Sequence, residues 1–506
     1  MARSTFLLSK GPETSKETKN KVVVTLENLD DALQQAIEIE IATIPVYLFT
    51  YYSINRSVSS DSITTTLTNA LIAKGKSKDE VAKKAAAFAT EFSASISHLA
   101  KKSCAIIMSV AIEEMLHMAL SSNIKQALRG MPDLMDKIPG TWPAQLPGHE
   151  PPFDINRDVL SLDQLKTFLQ IELPAKPKDQ TKLLKGKKVV IDYTTIGEFY
   201  KMIEKVIEDN SKNGKLKYDL KAPQLIPGEG YYAPNNSDTS YTSKDGKLMF
   251  ANADIQKTKQ PRQPTGDLIH VIDCDSAIQA INTIVDQGEG FAPNDYDLLD
   301  ENGAPKKCED PGDGDHAYKP GEETSHFAKF VEIYCEFNTL EKKVSDYSTK
   351  EGYSEIKMSN YFIYNFKRNP STTDYPPALQ KLSTLLNAVN SYIFLMTEEC
   401  YRKEGNTQYE IFMFGIHKSM IFILNSLCGT ITGMQYTVGT TIYSAAPTFE
   451  NYSFKSKNGQ IFSAGLSPKS QIIDLFNATM EAYPGNTDIS GLKQRIHDLP
   501  DVALNA

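Results

Sequence analysis

A chain of 506 residues is long enough for one core carrying large decorations, or for two or three units. Hydrophobic residues at 41% and charged residues at 23% exclude a mostly disordered chain. The balance of 54 basic against 63 acidic residues, a net charge of −9, leaves no excess of Lys and Arg to neutralise phosphates, so no nucleic-acid partner is expected.

No run of about 18 apolar residues offers itself as a membrane span. The best stretch, Ser419 to Met434, is interrupted by Asn425, Ser426, Thr430 and Thr432. The only apolar run at the N-terminus is Phe6-Leu7-Leu8, too short for a secretory signal, and the six cysteines are scattered without paired spacing. The expectation is a cytoplasmic, reduced chain without a membrane partner.

Residues 1–24 are polar and Lys-rich, which predicts a flexible leader. Asn28 stands at an N-cap position with Asp30 and Asp31 in the following turn, and Leu33, Ile37, Ile44 and Leu48 recur at helical spacing. A first long helix to about residue 55 is predicted. A Ser/Thr-rich connection (57–69) leads to an Ala-rich segment (80–100), which runs into a second strong helix ending near Gly130, where Arg129-Gly130-Met131-Pro132 supplies the stop. Prolines 139, 143, 147, 151 and 152 make 138–156 an extended connection. Thr195-Ile196-Gly197-Glu198 has capping-box form and opens a helix to about 209. Helices are predicted over 275–289, 321–340, 376–402, 408–433 and 468–482, with long irregular insertions at 210–265 and 290–320. The fold class is mainly α. Its expected divisions are a helical bundle over 25–345 and a C-terminal helical extension over 346–506, packed on the bundle.

Two Glu-x-x-His patterns carry the chemistry: Glu114-Met115-Leu116-His117 and Glu323-Thr324-Ser325-His326. On a helix this spacing puts a carboxylate and an imidazole one turn apart on one face, able to grip one metal ion. Glu114 and His117 fall in the apolar stripe Ile106, Val110, Ile124, and Glu323 and His326 in the stripe Phe330, Ile333, Phe337. There an unpaired charge would cost several kcal/mol, which metal coordination relieves. A two-metal carboxylate site needs two further glutamates. Glu40 continues the stripe of Leu33, Ile37, Ile44 and Leu48, with Glu38 as its alternative, and Glu289 continues Ile278, Ile281 and Val285, with Glu204 as substitute. The order Glu, Glu-x-x-His, Glu, Glu-x-x-His is that of a four-helix bundle. Two divalent ions would neutralise its four carboxylates, and the donor types suit iron or manganese. Pro45 removes the hydrogen bond to the Ile41 carbonyl beside Glu40. Asp313-x-x-His316 lies in a Gly/Pro/Asp-rich loop and reads as solvated, and His98, His149, His270, His417 and His497 have no partner pattern.

The segments Glu38-Ile39-Glu40-Ile41-Ala42-Thr43-Ile44-Pro45, Glu113-Glu114-Met115-Leu116-His117-Met118, Ile284-Val285-Asp286-Gln287-Gly288-Glu289-Gly290 and Ser325-His326-Phe327 resemble the ferritin-like domain of iminophenyl-pyruvate dimer synthases. Such domains occur in proteins of the violacein and rebeccamycin pigment pathways. The likeness spans roughly 25–450 and includes Ala446-Pro447-Thr448-Phe449-Glu450. The first two segments also resemble the metal helices of bacterioferritins, which would align Glu40 with a ligand and Tyr47 with a nearby tyrosine. The chain departs from the family in carrying Ile41 where His often follows the first ligand.

The resemblance implies a ferritin-like four-helix bundle with extra C-terminal helices and a di-iron centre, manganese being the alternative. The ligands would be Glu40, Glu114, His117, Glu289, Glu323 and His326, with the four glutamates as the catalytic carboxylates. O₂ would be the co-substrate and an amino-acid-derived imine or amine the small-molecule substrate. An external reductant and a homo-oligomer are compatible with this reading. A ferroxidase or iron store, and a structural protein stapled by its metal, are the alternatives.

Overall fold

The computed structural model describes residues 22–174, 190–226, 239–243, 246–251, 268–288, 299–306, 325–353, 356–455 and 467–503. Helix α1, Leu29–Tyr52, starts after Asn28, whose carboxamide oxygen accepts from Thr25 N at 2.7 Å. It is buried on nearly every side, as expected of a helix that is apolar all round. Pro45 lies inside it. Val22 to Val24, expected in the loose leader, are tied down instead: Val22 N donates to Asp192 Oδ2 at 3.0 Å and Val24 is buried.

The Ser/Thr-rich connection is itself a helix, α2, Ser60–Ala73. A reciprocal Ser59/Ser62 capping box starts it, and Ile63, Leu67 and Leu71, four residues apart, bury one face. Helix α3, Lys78–Leu128, is one unbroken element of 51 residues; Gly130 at φ +98° ends it. It packs on α2 and on α1, its C-terminal part meeting α1 where Thr43 donates to Glu114.

The proline-punctuated connection is extended, with Ala144 bridging Ile155. At Gly148, φ is +81° and a Cβ would lie 1.9 Å from the Ile191 carbonyl oxygen, so the chain at 191–193 can close over this turn only because the residue is glycine. Helix α4, Leu162–Ile171, is capped by Ser161 and buries Leu165, Phe168 and Leu169. The predicted elements did not include it. Helix α5, Ile196–Lys212, starts at Thr195, whose hydroxyl accepts from Glu198 N at 3.2 Å. A small antiparallel hairpin, β1 Ser240–Thr242 and β2 Leu248–Phe250, lies in the long insertion.

Helix α6, Cys274–Gly288, packs on α5 and α3, and helix α7, His326–Lys350, packs on α3 and α4. Helix α7 begins at His326, where Ser325 caps it by accepting from Ala328 N at 3.3 Å; the first four residues of the predicted 321–340 helix lie outside the described residues. Cys335 on α7 is disulfide-bonded, which departs from the fully reduced reading; Cys274, Cys400 and Cys428 are free thiols.

Helix α8, Pro377–Cys400, follows. The next helix, α9, spans Gly405–Thr432 and widens into π-helical turns at Ile411–His417 and Ser419–Leu424. Helix α8 packs on α9 and on α10, Pro468–Ala482; a hairpin of β3 Gln435–Val438 and β4 Thr441–Ser444 follows α9. The architecture is therefore mainly α, a helix bundle carrying additional C-terminal helices. Two helices, α3 and α9, are long and apolar enough to cross a membrane, contrary to the sequence expectation. The most apolar window of α3 is 83% buried inside the protein and that of α9 is 50% buried.

Away from the centre of the bundle, Phe88 of α3 stacks on Tyr361 at 4.9 Å and meets Phe92 at 5.0 Å and Tyr347 at 5.9 Å. This aromatic cluster joins the N-terminal half of α3 to α7 and the segment that follows it. Phe88→Ala is expected to destabilise the protein by about 3–5 kcal/mol, the usual cost of emptying an aromatic core site. The shift in the denaturant unfolding midpoint measures it; a shift under about 1 kcal/mol would mean the cluster is not cooperative with the core.

Candidate metal centre

Five titratable side chains from four segments point into one buried place. Glu40 comes from the middle of α1, and Glu114 and His117 come from one face of α3. Glu172 comes from the C-cap of α4 and His326 from the first residue of α7. All are at most 3% exposed. Gly288, at the end of α6, stands beside them: a Cβ there would lie 3.7 Å from Glu172 Oε2 and 3.9 Å from His117 Cε1.

The two imidazoles are held alike. His117 Nε2 meets Gln287 Oε1 at 3.1 Å, which turns Nδ1 toward Glu114 Oε1 at 3.7 Å and Glu40 Oε2 at 3.8 Å. His326 Nε2 meets Glu113 Oε2 at 2.8 Å, which turns its Nδ1 toward Glu114 Oε1 at 3.0 Å and Glu172 Oε2 at 3.5 Å. The rings lie 5.3 Å apart and near parallel. Each imidazole therefore has its outer nitrogen engaged and its inner nitrogen free to coordinate.

The carboxylates are oriented by hydroxyls. Tyr200 on α5 donates to Glu40 Oε1 at 2.5 Å, and its own oxygen lies 2.8 Å from Ser121 Oγ. Tyr47 donates to Glu172 Oε1 and Thr43 to Glu114 Oε2. Behind His326, Glu113 is also bound by Lys329 Nζ at 2.5 Å, a buried ion pair that offsets its charge.

Burial dominates the electrostatics. Desolvation pushes Glu40 up to about 7, against hydrogen bonds from Tyr200 and Glu114. Desolvation, together with the charges of Glu172 and Glu40, pushes Glu114 up to about 7. Glu113 is the opposite case. Burial opposes its ionisation, yet Lys329 and His326 hold it down to about 2. Desolvation lowers His117, whereas for His326 the surrounding glutamates overcome desolvation and raise it.

A divalent cation fits this donor set. His326 Nδ1 is fully buried and forms no hydrogen bond, although carboxylate oxygens lie 3.0 and 3.5 Å away. In the neutral ring, the nitrogen lone pair and these oxygens would stand side by side as ligands of a shared ion do. Glu114, His117 and His326 each offer an atom within 4.8 Å of the others. Fully deprotonated, the three carboxylates and two neutral imidazoles carry −3, a charge that bound cations would offset and that protons on Glu40, Glu114 and His326 offset otherwise.

A sequence profile of the ferritin-like family matches residues 33–335, more than half of the chain. The chain belongs to the ferritin-like family. The solved structure of a ferritin-like protein from Caulobacter vibrioides is 17% identical, covering 78% of this chain and 94% of that one, with a TM-score of 0.38. No curated protein matches the chain. Family membership and the donor cluster together fit a metal centre of the di-iron kind.

Of the sequence-predicted ligands, the ferritin-like bundle brings together Glu40, Glu114, His117 and His326. Glu289 and Glu323 lie outside the described residues. Glu38, the alternative to Glu40, faces Lys137 instead, at 3.4 Å. Glu204, the substitute for Glu289, is half-exposed, and α5 sends Tyr200 into the site in its place. Sequence reasoning missed Glu172 altogether. Its signal was present: Ser161 three residues before Gln164 caps a helix, and Leu165, Phe168, Leu169 and Glu172 share one face. Glu113, Lys329, Gln287 and Tyr200 carried no signal, because their partners are distant in sequence.

Two outcomes follow from the charges. A carboxyl whose folded pKa is raised keeps a proton that the unfolded chain releases near 4.5. Its contribution to stability is present at low pH and is lost as the pH rises through about 7. His326, also raised, acts in the same sense, and His117, lowered, opposes them only below its usual 6.5. Metal-free protein should therefore melt at a lower temperature at pH 8 than at pH 6.5, while metal-loaded protein should not, because bound cations need these groups deprotonated. Equal pH slopes with and without metal would contradict the assignment.

Glu113→Gln should weaken metal binding about 10- to 100-fold, as loss of an outer hydrogen-bond partner commonly does, and should destabilise the fold by stranding Lys329. Replacing both, Glu113→Leu with Lys329→Met, should recover stability but not affinity. Competitive metal titration with parallel denaturation reads both effects.

Proposed function

We propose that this chain is an oxygen-dependent di-iron oxidoreductase of specialised metabolism. Its substrate would be a small organic molecule, an imine or amine derived from an amino acid, as in the iminophenyl-pyruvate dimer synthases its motifs resemble. The observation carrying this reading is the pair of inward-facing Nδ1 atoms, from His117 and His326, set among Glu40, Glu114 and Glu172. Bound iron would supply the activation of O₂.

Glu40, Glu114, His117, Glu172 and His326 would hold the ions. Glu114 lies near both imidazoles, its Oε1 3.7 Å from His117 Nδ1 and 3.0 Å from His326 Nδ1, and would be a ligand common to the site. Gln287 and the Glu113–Lys329 pair keep the imidazoles in the tautomer that leaves Nδ1 unprotonated. Tyr47, Tyr200 and Thr43 fix the carboxylates by donating to one oxygen of each, leaving the other for a cation. Burial of every donor excludes bulk water, which protects reactive species from side reactions.

The test is anaerobic loading with ferrous iron, followed by metal analysis and oxygen-electrode measurement. About two iron ions per chain are expected, with O₂ uptake that stops once the bound iron is oxidised unless a reductant and an amine or imine substrate are present. Glu114→Ala, which relieves the crowded charge and so keeps the fold, should lose the iron and the uptake. Continued oxidation of iron far beyond that stoichiometry, with accumulation of mineral, would establish iron storage instead. Loss of helical signal on iron removal with no uptake at any stage would leave a structural staple.

A further inference from the structure

Outside the carboxylate cluster, Arg157 is a buried cation with no ion pair among the described residues. It is 3% exposed and its backbone is pinned on both sides. Arg157 N donates to Asn369 Oδ1 at 2.9 Å, and its carbonyl accepts from Asn369 N at 3.0 Å. The guanidinium lies over the Trp142 ring, with Cζ 4.8 Å from the centroid, and Nη2 donates to the Pro370 carbonyl at 3.0 Å. Nε and Nη1 are buried and meet no acceptor. Burial lowers the guanidinium to about 10, so it remains a cation at neutral pH. A buried cation without an anion is strongly unfavourable, and native proteins rarely keep one without a use for it.

The nearby anion does not serve. The Glu450 carboxylate, in the Ala446–Glu450 motif, accepts from Ser371 Oγ at 2.8 Å, Thr372 N at 3.1 Å and Asn387 Nδ2 at 3.1 Å. It makes no ion pair with Arg157 among the described residues, although its charge acts on the guanidinium. A second donor beside Arg157, Trp142 Nε1, is also buried without a partner. Three unused donors thus gather at one cation–π stack. The Trp142 side chain is half-buried between exposed Thr141 and Pro143, so part of its ring lies near solvent while the three donor nitrogens are buried behind it.

We propose that Arg157 and Trp142 form a receptor for the carboxylate of a small-molecule ligand. The planar fork of Arg157 matches the two oxygens of a carboxylate. The standing charge of Glu450 favours a monoanion over a phosphate dianion. Trp142 also packs on the apolar cluster of Ile37, Ile41 and Met118, which sit on the same turns of α1 and α3 as Glu40 and His117. A carboxylate held by Arg157 would therefore place the apolar body of its ligand against the wall of the metal centre. That this ligand is the substrate rests on the proposed function; the binding itself does not.

Trp142 is the single tryptophan of the chain, so its emission reports the site directly. Metal-free protein is titrated with isovalerate, a carboxylate with an apolar body, and separately with inorganic phosphate. A saturable change in Trp142 emission and a rise in melting temperature are expected with isovalerate, with phosphate at least tenfold weaker. Arg157→Met should weaken isovalerate binding at least tenfold, and Arg157→Lys, which keeps the charge without the fork, should weaken it less. Circular dichroism checks both folds, and if the Met variant is misfolded the Lys variant and the wild-type melting shift decide. No saturable response in the wild type, an unchanged response in Arg157→Met, or tighter binding of phosphate would overturn the proposal. Because no metal or turnover is involved, failure here leaves the proposed function standing, and absence of iron chemistry leaves this receptor standing.

Discussion

Placing ionisable carboxylates in a helix interior without water is the constraint from which the rest of this molecule follows. Glu40, Glu114 and Glu172 are each at most 3% exposed, and their mutual repulsion compounds the loss of hydration. Such a cluster survives folding only if protons or cations neutralise it. Without metal, part of that task falls to protons on Glu40 and Glu114, both pushed to about 7, and to a proton on His326. The same groups, deprotonated, are a ligand set for divalent ions, so the metal-free protein is poised to exchange protons for metal.

The scaffold around the cluster removes freedom from every donor. Helices α1 and α3 supply the rigid wall, and the shorter elements each deliver one group at an end: Glu172 at the C-cap of α4, Gln287 near the end of α6, His326 at the first turn of α7. The second layer is polar yet nearly neutral. Tyrosine and threonine hydroxyls donate to carboxylates, a carboxamide engages one imidazole, and an internally compensated Glu113–Lys329 pair engages the other. Neutrality matters because an uncompensated charge there would shift the whole cluster's protonation. The C-terminal helices add a different resource, since the Arg157 stack is braced by Asn369 and Pro370 from the segment that leads into α8.

The sequence by itself determined the mainly helical class, the end of α3, the extents of α6, α8, α9 and α10 to within a few residues, and four of the five clustered donors. Each of these is written locally. Apolar residues recur every three or four positions, capping residues sit at the ends, and Glu40, Glu114, His117 and His326 interrupt stripes that otherwise read as core. Helix α2 was hidden because its Ser and Thr residues resemble a linker while only Ile63, Leu67 and Leu71 show the buried face. Tertiary structure alone decided which glutamates converge. Glu172 is 58 residues from Glu114 by their numbers, and Gln287 is 170 from His117. Likewise Lys329 reaches Glu113 from a distant helix, 216 positions away. The choice of Glu40 over Glu38 depended on where Lys137 stands, and the solitude of Arg157 on where Glu450 spends its hydrogen bonds. Helical periodicity says which face of an element is buried. What that face meets is settled by chain packing between residues far apart in sequence, which a local pattern does not encode.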